Sequence, residues 1–134
     1  MNTFQALALF FLATPACAAD WEYVTATGSS NVYADLDSVK TRTGKTKSAR
    51  FLFDHLDTRY DTESARVYKS SIHLIEVDCT TKQLEWSRIE MYAGPLATGA
   101  KTGARNTGNQ PANFMESLQS SSREAMANSI CEPS

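Results

Sequence analysis

The 134-residue chain predicts an α+β domain: an antiparallel meander of about five to six strands, with one C-terminal helix packed on one face and tied down by a disulfide. Three observations predict it. Short runs rich in Val, Ile, Tyr, Phe and Trp, separated by turn residues, fill Trp21 to Tyr92. Helical spacing of apolar residues follows near the C-terminus. Cys79 and Cys131 stand at the ends of the longest strand run and of that helix, so a bond between them closes the fold.

The elements follow in order. Ala6 to Ala13 is an apolar run, and small residues Ala16, Ala18 and Ala19 precede the first acid, Asp20. That pattern reads as a secretory signal over residues 1–19, although Met1 to Gln5 carries no Lys or Arg. The run is too short to span a bilayer, which needs about 20 apolar residues. Cys17 leaves with the signal. Thr14 stands where a lipoprotein signal needs an aliphatic residue, so lipidation of Cys17 is not expected. Residues 20–134 then form a single domain. Trp21 to Thr25 is a first strand, and Asn31 to Asp35 a second. Asp35 to Ser38 reads as a turn or short helical corner, and Thr41 to Lys45 as a hairpin tip. Lys47 to Asp54 is a third strand; His55 to Glu63 has no periodicity and reads as a loop. Val67 to Cys79 is the longest strand, apolar on both parities. After the turn Thr80-Thr81-Lys82, Gln83 to Tyr92 returns as a fifth strand, and its apolar parity switches between Trp86 and Ile89, which predicts a bulge. Gly94 to Asn109, with four glycines and no acid, reads as a loop holding a short sixth strand near Leu96 to Lys101. Asn113 and Glu116 have the spacing of a capping box. The helix runs from about Phe114 to Ile130, with Phe114, Leu118, Ser121, Ala125 and Ile130 as its stripe, and Met115, Ser122 and Met126 beside it.

An exported chain that keeps two cysteines has one pairing available, Cys79 with Cys131, and an oxidising compartment permits it. The two stand 52 residues apart, a closure worth ~4 kcal/mol in loop entropy. A domain of this size buries only about two-thirds of its unfolded surface, so the bond matters to stability. All 13 basic and 15 acidic residues follow the signal, a formal charge of −2 that argues against a nucleic-acid binder.

Sites of chemistry are sparse. His55 and His73 stand too far apart for a metal-ligand motif, and no metal or cofactor is expected. His73 shares strand parity with Ile75 and Val77, which reads as a packed, hydrogen-bonded histidine; His55, among Asp54, Asp57, Asp61 and Glu63, reads as part of a solvated loop. Gly44-Lys45-Thr46 resembles the end of a phosphate loop, but Val39 occupies the required glycine position. Glu76 and Asp78 share a strand face, as do Glu85 and Ser87; paired carboxylates on an antiparallel sheet more often line a wet face than serve acid–base chemistry. Lys40, Arg42, Lys45, Lys47 and Arg50 form a cationic stretch that either binds an acidic partner or protects an edge from pairing.

The ordered landmarks carry a family resemblance. They are Trp21-x-x-Val24, Val32 to Val39, Phe51-Leu52-Phe53-Asp54, Lys69-Ser70-Ser71, Glu76-Val77-Asp78-Cys79, Tyr92-Ala93-Gly94-Pro95, Gly99 and Cys131. In order and spacing the chain resembles the surface-adhesin protein E family of Gram-negative bacteria, from Trp21 to Cys131. It departs from the family pattern at Asn109 to Phe114, where members often carry a Trp and a Pro-Gly-Ser. The resemblance implies the same sheet-and-helix fold, a place in the periplasm or at the outer-membrane surface, and binding of host matrix proteins. The expected function is therefore an exported, non-enzymatic envelope protein that binds other proteins, with Lys40 to Arg50 as the first candidate contact. The alternative is a periplasmic small-ligand-binding or envelope-assembly module. It would use a concave face near His73, Trp86 and Tyr92.

Overall fold

The computed structural model describes residues 20–110 and 118–132. The signal segment and the capping box at Asn113 and Glu116 lie outside them. Six strands follow one another: β1 (Trp21–Ala26), β2 (Ser30–Thr41), β3 (Thr46–Asp61), β4 (Arg66–Asp78), β5 (Gln83–Tyr92) and β6 (Lys101–Gln110). They lie in one sheet in sequence order, every neighbouring pair antiparallel. A 3₁₀ turn (Pro95–Ala97) precedes β6, and helix α1 (Ser120–Cys131) closes the fold. The predicted meander, helix and disulfide are all present. Cys79 and Cys131 are bonded, with Cα atoms 5.6 Å apart.

Pairing fixes which residues share a face. Val32, Ala34, Ala49, Phe51, Phe53, Ile75, Val77 and Leu84 turn to one side, where Met126, Ala127 and Ile130 of α1 pack on them. The buried positions of the helix are Ser122, Met126, Ala127 and Ile130. The buried stripe is thus rotated by one residue from the expected Ser121–Ala125 line: Met126, Ala127 and Ile130 join the core, and Ser122 Oγ donates to Ala26 O at 3.4 Å. On the opposite side, uncovered by any described helix but with the Pro95–Ala97 turn held against its Asp54 and Ser70 end, Leu52 and Ile72 are buried, flanked by half-buried Tyr33, Leu74 and Tyr92.

Four boundaries differ from the sequence reading. Asp35 to Ser38 is no corner: it lies inside β2, which pairs through Asp35↔Arg50 and resumes at Lys40↔Ser48 around a bulge. Ser38 Oγ stabilises that bulge, donating to Asp35 O at 2.6 Å and accepting from Arg50 N at 2.9 Å. Polar residues suited to turns serve a bulge equally well. The supposed loop from His55 continues β3 to Asp61, paired through Arg59↔Tyr68 and Asp61↔Arg66. This hairpin end runs beyond the core, so Leu56 and Tyr60 are about 60% exposed and no alternation marks it. The sixth strand lies at Lys101–Gln110 instead of Leu96 to Lys101. Packing accounts for Gly103, where a Cβ would sit 2.8 Å from Met91 Cε, and a backbone φ of +65° for Gly108. The described helix begins at Ser120. The expected bulge in β5 is present, with Leu74↔Arg88 followed by Ile75↔Trp86.

Candidate functional site

The cationic stretch does not form one patch. Lys47 Nζ donates to Ile130 O at 3.4 Å, at the C-terminal end of α1. Arg50 lies 3.6 Å from the Asp35 carboxylate and over the Trp21 ring, at 5.6 Å. Arg42 donates to Ser48 Oγ at 3.2 Å and lies 4.0 Å from Glu76. Lys40 and Lys45 are exposed. Alternation sends Lys47 and Arg50 to opposite faces, and local carboxylates neutralise the arginines.

The expected concave set also divides. His73 and Trp86 pack together beneath the helix side, ring centroids 5.5 Å apart. Tyr92 pairs with Ser70, so it stands on the uncovered face, donating to Glu90 Oε2 at 3.0 Å. The bulge at Ser87 is the cause: one extra residue reverses parity between Trp86 and Tyr92. The paired carboxylates face outward too, with Glu76 directly opposite Glu85. Among the described residues, no group of three or more His, Cys, Asp or Glu could hold a metal ion, and no helix is long and apolar enough to cross a membrane.

What the fold does assemble is a chain of hydroxyls and imidazoles from three strands. Ser30 pairs with His55, Phe53 with Ser71 and Phe51 with His73, so one face carries all four polar groups. Ser30 Oγ lies 2.7 Å from His55 Nδ1, His55 Nε2 lies 3.0 Å from Ser71 Oγ, and Ser71 Oγ lies 2.9 Å from His73 Nε2. All four residues are buried, His55 included, which corrects its reading as a solvated loop residue. Phe53 meets the His73 ring edge-on at 4.9 Å, and Tyr68 meets His55 likewise at 5.6 Å. Burial lowers His55 to a pKa of about 4, with help from the Arg59 and Lys69 charges. Burial lowers His73 to about 3, with smaller contributions from His55 and Arg59. Both imidazoles are therefore neutral at pH 7, and each has one donor and one acceptor nitrogen.

A cleft of 150 Å³ opens over this chain. The β1–β2 turn forms its rim, where Thr27 Oγ1 accepts from Ser29 N and Ser30 N at 3.2 and 2.9 Å. Phe53, Ile89 and Leu118 supply apolar walls, and Arg59 and Tyr68 close one side. Arg59 Nη2 donates to Ser29 Oγ at 2.9 Å. Lys69 Nζ donates to the carbonyls of His55 and Leu56, where the β3–β4 register shifts between Asp54 and Arg59. Of these residues the sequence singled out only His73 as part of a pocket. Ser71 at i−2 from His73 was a usable signal, since both face one way on a strand. Ser30 and Arg59 carried none.

Comparison with known proteins agrees with this fold. The chain is similar to a solved structure of Haemophilus influenzae protein E, with 13% identity, 83% of each chain covered and a TM-score of 0.52. A second crystal form of Haemophilus influenzae protein E matches with 14% identity, 81% of this chain and 91% of the other covered, and a TM-score of 0.51. A search of curated proteins found no match. The sequence profile described as surface-adhesin protein E matches residues 21–132, a span that holds all six strands, the helix and the disulfide. The chain belongs to the surface-adhesin protein E family.

Proposed function

We propose that this adhesin-like protein is exported, performs no enzymatic chemistry, and binds other proteins, host matrix components among them, through the uncovered face of its sheet. The observation that carries the reading is the asymmetry of the sheet. Helix α1 packs on one face, while the other presents aromatic residues and cations together. Tyr23 is 60% exposed and meets Tyr33 edge-on at 5.7 Å; Trp21 lies under Arg50, and Tyr92 under Lys101 at 5.8 Å. Tyr, Trp and Arg dominate the energetics of protein interfaces because they bring large, stiff contact area with a polar handle. Apart from Arg50, the Lys40 to Arg50 stretch is a poorer contact: Lys47 meets the helix end on the opposite face, and Arg42 already faces Glu76. Membership of a surface-adhesin family supports an envelope location.

Protease added to intact cells carrying a C-terminally tagged protein tests the location. Loss of the tag with a periplasmic control intact is the expected result; full protection overturns a surface role. Purified protein is then assayed on immobilised matrix proteins. Tyr23→Ser with Tyr33→Ser should cut binding roughly tenfold or more, and undiminished binding would exclude the uncovered face.

A further inference from the structure

We propose that the cleft over Ser30, His55 and Ser71 binds a small monocarboxylate on an apolar body about the size of benzene. The volume supports the size. A cavity of about 150 Å³ holds one benzene-sized molecule, and the cleft has 150 Å³. Phe53, Ile89 and Leu118 suit an apolar body. Its mouth is open among the described residues, so a charged end can face the rim while the body is buried.

The charge pattern selects the sign of that end. Among the described residues, Arg59 lines the cleft and no carboxylate does. Arg42, Arg50, Arg88 and Arg105 each face a carboxylate within 4.0 Å. Arg59 is in no such pair among the described residues; its one hydrogen bond there goes to the neutral Ser29 Oγ, leaving guanidinium N–H groups for an anion. One guanidinium and neutral hydroxyls match a monoanion better than a doubly charged phosphate.

The buried chain adds a device for the same sign. Ser71 has one hydroxyl proton between two imidazole nitrogens, so the chain has two self-consistent orderings. In one, His73 Nε2–H donates to Ser71, Ser71 to His55 Nε2, and His55 Nδ1–H to Ser30 Oγ. Ser30 is then free to donate its proton into the cleft. In the other, every bond reverses and Ser30 donates inward to His55. A carboxylate at the rim favours the first ordering and receives the Ser30 proton at the end of a polarised chain. Ser29, whose oxygen already accepts from Arg59, donates beside it.

The test uses the purified, disulfide-intact protein and three probes of one shape: phenylacetate, phenylacetamide and benzylamine. Nitrogen-15 spectra should show phenylacetate shifting Ser29, Ser30 and the His55 side chain, with His55 in its Nδ1–H form. Benzylamine should leave them unmoved, and phenylacetamide should bind at least about tenfold more weakly than phenylacetate. Arg59→Gln should weaken phenylacetate binding by a similar factor. Ser29→Ala, a change at an exposed rim position, should weaken it severalfold with the melting curve unaltered. N-acetylphenylalanine separates the sources of such a group: tighter binding than phenylacetate points to a peptide C-terminus, weaker binding to a free acid. Absence of localised shifts, equal response to benzylamine, or unchanged affinity in both variants would overturn the proposal.

Discussion

Under helix α1 the inward positions of β2 to β4 hold Val32, Ala34, Ala49, Ile75 and Val77; a few residues along the same strands they hold Ser30, His55, Ser71 and His73. Both ends of this face obey one alternation, and both are buried. What differs is the cover. A 12-residue helix is about 18 Å long, whereas the 16 residues of β3 extend roughly 50 Å. One helix cannot cover such strands. Beneath it, apolar groups meet apolar groups. Beyond its first turn, the strand ends carry groups that satisfy one another across the sheet, and a cleft remains. The lesson is that burial by a helix gives stability, while burial by strand neighbours alone leaves room for a site.

Three experiments break or sharpen that contrast. The largest effect should come from the helix end. Cys79→Ala with Cys131→Ala frees α1 from β4, and loss of such a bond costs about 2–5 kcal/mol. Denaturant melts of the double variant should show it, and an unchanged midpoint would mean that the helix is held by packing alone.

Acid should act on the other end. His55 and His73, with pKa values of about 4 and about 3 in the fold, ordinarily titrate at 6.5. Between pH 6.5 and 4 the unfolded chain therefore binds more protons than the folded one, and stability falls as pH falls. Full stability from these groups is present above pH 6.5. At pH 5 the loss is about 2 kcal/mol per histidine. Urea midpoints followed from pH 7.5 to 5 should decline, and His73→Phe should flatten the decline. A variant with the wild-type slope would remove His73 from the account. Asp61, held below the usual carboxylate range mainly by its Arg105 hydrogen bonds, and Glu90, lowered by Tyr92, Arg88 and Lys101 against opposing burial, act only at lower pH.

The smallest effect belongs to Lys47. Its ammonium meets the Ile130 carbonyl at the negative end of the α1 dipole, and Lys47→Ala should cost about 0.3–1 kcal/mol. A loss several times larger would show that the partly buried lysine stem also packs at the helix end.

Much of the fold was legible in residue pattern, and the site much less so. The β5 bulge was visible as a parity switch, yet its consequence, Tyr92 leaving the face of Trp86, needs the count of residues across the bulge. The β2 bulge at Asp35 to Ser38 looked like a corner because Ser and Asp serve both geometries. The far end of β3 was invisible because its apolar residues, Leu56 and Tyr60, are exposed while polar Arg59 and Asp61 are the ones partly or wholly covered.

The sequence by itself determined the strand order, the meander, the helix and the Cys79–Cys131 bond, since each rests on local periodicity, turn chemistry or cysteine count. Only the tertiary structure decided that Ser30, His55 and Ser71 share one hydrogen-bonded chain, and that Arg59 stands beside it. Those residues come from different strands, and the registers that align them are set by bulges and cross-strand pairing, which no local stretch of sequence encodes.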